Sequence, residues 1–184
     1  MYSKCMGRIQ AEIRQARPFS RPEHELAVTL MRTGDVLHHS IDRALDPMGL
    51  SNEQYNVLRI LRGAGEAGHP TLEISRRLIS RAPNITRLLD KVIAKGLVRR
   101  DRGTEDRRQA FVRITPKGLG LLARCDKVVD AALDKLRCLS RADLKRAVDL
   151  LDRVREAVAI ATVWEGILAD KTDSSDSPTH ERRR

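Results

Sequence analysis

The chain has 184 residues, 41% hydrophobic and 33% charged, with a formal net charge of +10. Apart from its few aromatics and strong basicity this is the composition of an ordinary soluble domain. No apolar run approaches the roughly 20 residues needed to span a bilayer. The N-terminal residues lack the hydrophobic core of a signal peptide, which argues against secretion and for a cytoplasmic protein. Cys5, Cys125 and Cys138 show no CxxC spacing, and an odd count suits a reducing compartment better than a disulfide framework. Net charge alone names no partner, because basic patches serve nucleic acids, membrane surfaces and acidic proteins alike. Its distribution says more: from Arg76 to Arg113 twelve basic residues stand against Asp90, Asp101, Glu105 and Asp106. Most of the excess therefore sits in one segment.

In chain order, residues 1–21 form a basic arm ending in Arg17-Pro18 and Arg21-Pro22, and the prolines disfavour helix before them, which predicts a loosely attached segment. A long helix follows from Glu23, with Leu26, Leu30, Leu37, Ile41 and Leu45 at helical spacing and Pro47-Met48-Gly49 as its stop. Ser51-Asn52-Glu53-Gln54 reads as a capping box, flanked by Leu50 and Tyr55 as a hydrophobic staple. That second helix is expected to reach about Leu61, and Gly63–Pro70 to be a flexible loop. Thr71 then caps a third helix through Leu78, with Leu72 and Leu78 facing inward.

The next stretch carries an apolar stripe of Ile85, Leu88, Leu89 and Val92 beneath an outer face of Asn84, Thr86, Arg87 and Lys91. Pro83 suits the first helical position, which makes Ala82 the cap, and Gly96 is the stop. Alanine has no side-chain acceptor, so the first amides of this helix are expected to be free for a phosphate oxygen. A charged turn, Asp101–Arg108, then joins Leu97–Arg100 to Gln109–Thr115 as a hairpin. Thr115-Pro116 starts a further helix carrying Leu122, Val129, Leu133 and Leu136, with Cys125 and Cys138 in or near the core. Ser140–Asp143 opens the last helix, with Leu144, Val148, Leu151, Val154 and Val158 inward. Residues 169–184 are polar and read as a disordered tail.

A basic helix followed by a basic hairpin, with Asp106-Arg107-Arg108 at the tip and Ile114-Thr115-Pro116-Lys117-Gly118 after it, resembles the DNA-binding lobe of the MarR family of bacterial transcriptional regulators. The resemblance implies a mainly α fold with a small β-hairpin wing. A winged helix-turn-helix lobe (51–115) would sit beside a helical dimerisation lobe built from 22–50 and 116–168, the whole forming one domain over 22–168. It further implies a homodimer on a pseudo-palindromic operator of double-stranded DNA, acting as a repressor, with release by a small aromatic effector as in other members. The pocket residues for such an effector are not legible.

The candidate DNA-binding residues are Arg81, Pro83, Asn84, Thr86, Arg87, Lys91, Arg102, Asp106, Arg107 and Arg108. Asn suits adenine and Arg suits guanine in the major groove, and a Thr methyl suits thymine. Arg81 and Lys91 are placed for phosphates, as are Arg102 and Arg113. Arg107 and Arg108 are placed for a narrow minor groove, with Asp106 orienting them. Pro83–Arg87 is the base-contacting segment by resemblance. The competing reading is a winged-helix module for protein or RNA contact without operator specificity. GxSxG, HExxH, a phosphate loop and a dinucleotide fingerprint are all absent, so no enzyme is expected. His38 and His39 are adjacent and point to different sides of a helix, and no zinc spacing occurs, so no metal or other cofactor is expected.

Overall fold

The computed structural model describes residues 8–80, 84–102 and 110–173, and the side chains of all of these except 102, 110 and 160–173. The helices are α1 (Arg8–Glu12), α2 (Pro22–Leu45), α3 (Asn52–Ala64), α4 (Thr71–Arg77), α5 (Ile85–Ala94), α6 (Pro116–Leu133) and α7 (Arg141–Asp173). Three short strands, β1 (His69–Pro70), β2 (Val98–Arg102) and β3 (Ala110–Ile114), form an antiparallel sheet in the order β1-β3-β2. The chain divides into two compact units, 1–134 and 135–184. No helix of the described residues is long and apolar enough to cross a membrane.

The first unit holds one core. Leu45, Val57, Leu58, Leu61, Ile74, Leu89, Val92, Val112, Leu122 and Cys125 are completely buried in it. It joins the end of α2, the inner face of α3, the recognition-type helix α5, the central strand β3 and the first half of α6. Burial also pushes the Cys125 thiol up, with Asp126 adding to the effect, so this cysteine is a packing group rather than a nucleophile.

Several local expectations hold. Asp46–Met48 forms a 3-10 turn and Gly49 takes a left-handed φ of 66°, ending α2 where Pro47-Met48-Gly49 predicted. Ser51 caps α3 by accepting from the Gln54 amide, and Leu50 and Tyr55 are both buried beside it. The capping box is only half made, however. The Gln54 side chain does not reach back, because its Oε1 accepts from Lys95 Nζ at 2.9 Å, and the Ser51 hydroxyl donates instead to Glu53. Thr115 caps α6 by accepting from the Gly118 amide at 3.0 Å, with Pro116 at the first helical position.

Other expectations are corrected. The N-terminal arm is not loose throughout, since α1 buries Ile9 and Gln10 and Glu12 accepts from Arg32 of α2 at 2.7 Å. Helix α3 runs three residues past Leu61, and the supposed loop after it contains a 3-10 turn and β1, which pairs His69 with Val112. Such pairing is non-local and leaves no periodic trace in ten residues. Thr71 is the first residue of α4, not its cap, and Leu72 is 62% exposed while the unremarked Ile74 is completely buried. Cys138 and Leu136 lie in an exposed 3-10 turn, Asp134–Cys138, rather than in the core. In the second unit α7 is a 33-residue helix opened by Ser140, which accepts from the Asp143 amide. Of its expected inward stripe, Leu144 and Val154 are half-buried, whereas Val148, Leu151 and Val158 are exposed.

One polar tie fastens α3 to α6. The Tyr55 hydroxyl donates to Asp126 at 2.8 Å, and the same carboxylate pairs with Arg62. Burial, and then the neighbouring carboxylate, push Tyr55 up to about 12. Burial also works to raise Asp126, but the hydrogen bonds from Arg62 and Tyr55 outweigh it and hold the carboxyl below its usual range. A tyrosine whose folded pKa lies above its unfolded value near 10 adds stability in full below that value and loses it as pH rises. Unfolding titrations should therefore show stability declining between about pH 10 and 12, and Tyr55→Phe should flatten that limb while costing about 1–2 kcal/mol at neutral pH. A second expectation concerns Gly118. A Cβ there would meet the Leu97 carbonyl oxygen at 2.1 Å, so Gly118→Ala should lower stability by about 1–3 kcal/mol in calorimetry.

Candidate nucleic-acid interface

Helix α5 is amphipathic and its two faces are sharply divided. Leu89 and Val92 are completely buried, Ile85 and Leu88 pack half-buried on the core, and Thr86, Arg87, Asp90 and Lys91 are exposed. Its C-terminus closes in a Schellman arrangement. The Gly96 amide donates to Ile93 O at 2.7 Å and the Leu97 amide to Val92 O at 3.1 Å, with Gly96 at φ 69°. The buried side chains of Val92 and Leu97 supply the hydrophobic contact that accompanies this motif.

At the other end the cap differs from expectation. Asn84, with φ −141° and ψ 86°, is the N-cap, and its Oδ1 accepts from the Arg87 amide at 2.9 Å. The helix thus begins at Ile85, not at Pro83, and its N-terminus has a side-chain cap after all. The chain prefers this start because asparagine supplies the acceptor that alanine lacks. An unfilled cap awaiting phosphate is therefore not the device at this end. The cap commits Oδ1 of the Asn84 carboxamide, and its NH2 group has no partner among the described residues.

The structure sorts the basic segment into engaged and available cations. Arg113 donates to Asp101 at 2.6 Å and to Glu66 O, and Arg99 pairs with the same carboxylate at 3.2 Å. Arg99 and Arg113 sit directly opposite in the β2–β3 ladder, so Asp101 relieves a like-charge cross-strand pair. Arg113, expected to hold a phosphate, is thus a structural residue of the sheet. Arg100 reaches Asp90 of α5 at 3.5 Å, which screens the acid on the exposed face of the helix. Lys95 is spent on Gly49 O and Gln54, and Arg77 on Glu73. Arg87 and Lys91, one helical turn apart, carry no ion pair or hydrogen-bonded side-chain partner among the described residues, and both are exposed. Thr86 is exposed beside them. Arg81, Pro83, Asp106, Arg107 and Arg108 lie outside the described residues, as does the side chain of Arg102, whose backbone ends β2.

Sequence reasoning could not find a cavity of about 550 Å³ between α2, α3 and α6. Its walls come from α2 (Gly34, Leu37, His38, Ile41), α3 (Tyr55, Asn56, Arg59), the segment before α5 (Ile79, Ser80) and α6 (Val129, Leu133). The Arg59 guanidinium stands over the Tyr55 ring, 5.8 Å from its centroid. His38 bridges Asp42 at 3.0 Å and Glu53 at 3.4 Å, whereas His39 turns to Asp35. A larger cleft, about 720 Å³, opens beside the sheet, but its arginines, Arg62, Arg99 and Arg113, are already paired with Asp126 and Asp101.

Residues 50–110, spanning α3, β1, α4, α5, β2 and the start of β3, match the model of the MarR family. The HTH-type transcriptional regulator MhqR of Bacillus subtilis is 28% identical over 131 residues, which cover 71% of this chain and 89% of MhqR. Among solved structures, the transcriptional repressor CouR bound to a 23-mer DNA duplex superposes with a TM-score of 0.66 at 27% identity, covering 76% of this chain and 99% of CouR. CouR from Rhodococcus jostii RHA1 bound to p-coumaroyl-CoA gives a TM-score of 0.64 at 23% identity, covering 74% and 95%, a likeness of fold. With its capped helix, its three-stranded wing sheet and these relatives, the chain carries a MarR-family winged helix over residues 50–110 and is similar to MarR-family transcriptional regulators along most of its length.

Proposed function

We propose that the protein binds double-stranded DNA sequence-specifically as a homodimer, with α5 in the major groove and Arg107 and Arg108 at the flanking minor groove. It acts in the cytoplasm as a repressor and carries no catalytic activity. The observation that carries this reading is the pair Arg87 and Lys91. They are exposed, one turn apart and without an ion pair among the described residues, on a helix whose opposite face buries Leu89 and Val92 completely. Arg87 suits a guanine edge, Lys91 a phosphate, and Thr86 a thymine methyl. Arg81, Pro83, Asn84, Arg102, Asp106, Arg107 and Arg108 complete the proposed contact surface. CouR, which has this fold, was crystallised on duplex DNA.

The dimer is supported by apolar surface that a single chain leaves uncovered. Met31 and Val36 of α2 are 67% and 53% exposed, and Val148, Leu150 and Val158 of α7 are 56%, 56% and 60% exposed. A two-fold dimer reads half-sites about one helical turn apart, which makes the operator pseudo-palindromic. The cavity between α2, α3 and α6 supports an effector. Its volume falls within the usual range for small-molecule sites. Apolar residues make up much of its wall, and Arg59 stacked on Tyr55, beside the polar Asn56, Ser80 and Asp35, suits a flat aromatic molecule with polar substituents. CouR has also been crystallised with p-coumaroyl-CoA, an aromatic acyl thioester.

Duplexes selected from a random library by the wild-type chain should converge on an inverted repeat, and light scattering should give the mass of two chains. Enrichment without any sequence preference would favour the module reading instead. Arg87→Ala should cost about 1–3 kcal/mol on the selected duplex and relax preference at one position of each half-site, whereas Lys91→Ala should weaken all sequences alike. Affinity should fall with salt at a log–log slope near −0.9 per neutralised phosphate, so a flat salt titration would contradict groove binding.

A further inference from the structure

The chain enters α5 from a short connection whose only described polar anchor lies in the cavity wall. Helix α4 ends at Arg77, and Leu78 is extended (φ −63°, ψ 138°), so the Ile79 amide has no helical acceptor. It donates instead to Asn56 Oδ1 of α3 at 3.0 Å. The Ile79 side chain does not hold the segment, being 82% exposed. The backbone tie to Asn56 therefore fixes this point of the chain, five residues ahead of the Asn84 cap. Asn56 itself stands on the most firmly packed helix of the first unit, between the buried Tyr55 and the completely buried Val57 and Leu58.

Asn56 also lines the 550 Å³ cavity and the small adjoining one of about 50 Å³, together with Ile79 and Ser80. Its Oδ1 is committed, while its NH2 group has no partner among the described residues. We infer that Asn56 is the positioning residue that latches the entry of the recognition helix from inside the cavity. The inference rests on the DNA-binding reading above and names the residue that sets the helix in place for it.

The test uses the full chain and needs no identified occupant. Asn56→Leu removes the acceptor, and Asn56→Asp keeps an oxygen in its place. Amide exchange at Ile79, read by NMR, should be about tenfold faster in Asn56→Leu than in wild type, and within about threefold of wild type in Asn56→Asp, as loss or retention of one hydrogen bond requires. Affinity for the wild-type-selected duplex should follow the same order, with about a tenfold loss in Asn56→Leu and recovery in Asn56→Asp. Should Asn56→Leu not fold, Asn56→Ala carries the same expectations. Unchanged Ile79 exchange in Asn56→Leu overturns the latch. Faster exchange with undiminished DNA affinity, or an Asn56→Asp as impaired as Asn56→Leu, overturns its positioning role. A wild-type chain that enriches no sequence overturns the DNA-binding reading itself, an outcome told apart because Ile79 exchange still reports the latch.

Discussion

The turn Lys95-Gly96-Leu97 is the constraint from which the geometry of this protein follows. Leu97 O accepts from the Thr115 amide at 3.0 Å, Gly96 O from the Thr115 hydroxyl at 2.8 Å, and Lys95 O from Lys117 Nζ at 2.8 Å. Lys95 sends its own ammonium the other way, to Gly49 O and Gln54 Oε1 at the start of α3. Gly118 lets α6 approach the Leu97 carbonyl closely enough that no side chain fits between. One turn thus gathers the end of α5, the root of β2, the start of α6 and the start of α3. Of these carbonyls Leu97 O is part-buried, and leaving it without its donors would cost about 1–3 kcal/mol. The motif Thr115-Pro116-Lys117-Gly118 is best understood as the clamp on this turn, and only secondarily as the opening of a helix.

Charge is arranged with the same economy. The excess from Arg76 to Arg113 looks in the sequence like one continuous basic surface, but the fold neutralises much of it locally. Asp101 serves two arginines of the sheet and Asp90 serves Arg100. Such exposed or half-exposed pairs contribute at most about 1 kcal/mol each to stability. Their larger effect is on the field outside: they remove cations from the sheet, while Arg87 and Lys91 on α5 and Arg76 on α4 keep no ion pair among the described residues. Among the described residues a ligand with spaced negative charges therefore meets these helices before the sheet. The net charge of +10 draws a polyanion toward the protein, and the pairing decides which face it finds.

How much of this was legible follows from the range of each interaction. The Ser51 and Thr115 caps, the Pro47–Gly49 stop, the α5 stripe and its Gly96 terminus are local chemistry, written within four or five residues, and reading them was enough to find the winged helix. The buried face of α4 was not legible, because a seven-residue helix with Leu72, Ile74 and Leu78 has too few turns to define a stripe. Nor was β1, whose pairing with β3 lies some forty residues away. The site shows the same divide. Arg87 and Lys91 were picked from the outer face of α5, whereas the engagement of Arg113 by Asp101 and Glu66 O requires the sheet and the preceding turn to be folded. The start of α5 was misread because proline statistics pointed to Pro83, while the acceptor needed for a cap sits one residue later, on Asn84.

The two ends of α5 are held very differently, and this bears on how a small change could act at a distance. Its C-terminus is fixed by the Schellman bonds, the Thr115–Lys117 clamp and a buried Val92–Leu97 contact. Its N-terminus has the Asn84 cap, and before that the tie from Ile79 to Asn56. A rod fixed firmly at one end and lightly at the other pivots about the firm end. For a ten-residue helix, about 15 Å long at 1.5 Å per residue, a tilt of roughly 10° about Gly96 moves the first turn by about 2–3 Å. The window for a hydrogen bond to a base edge is only about 0.5 Å wide. A tilt of that size would displace the first turn by several times what base recognition tolerates, while leaving the clamped end almost in place. Arg87, in the first turn, lies where this lever is long, and Lys91 lies nearer the pivot. Under the proposed contacts, in which Arg87 reads a base and Lys91 holds a phosphate, loosening the entry of the helix would remove sequence discrimination before it removes phosphate contact.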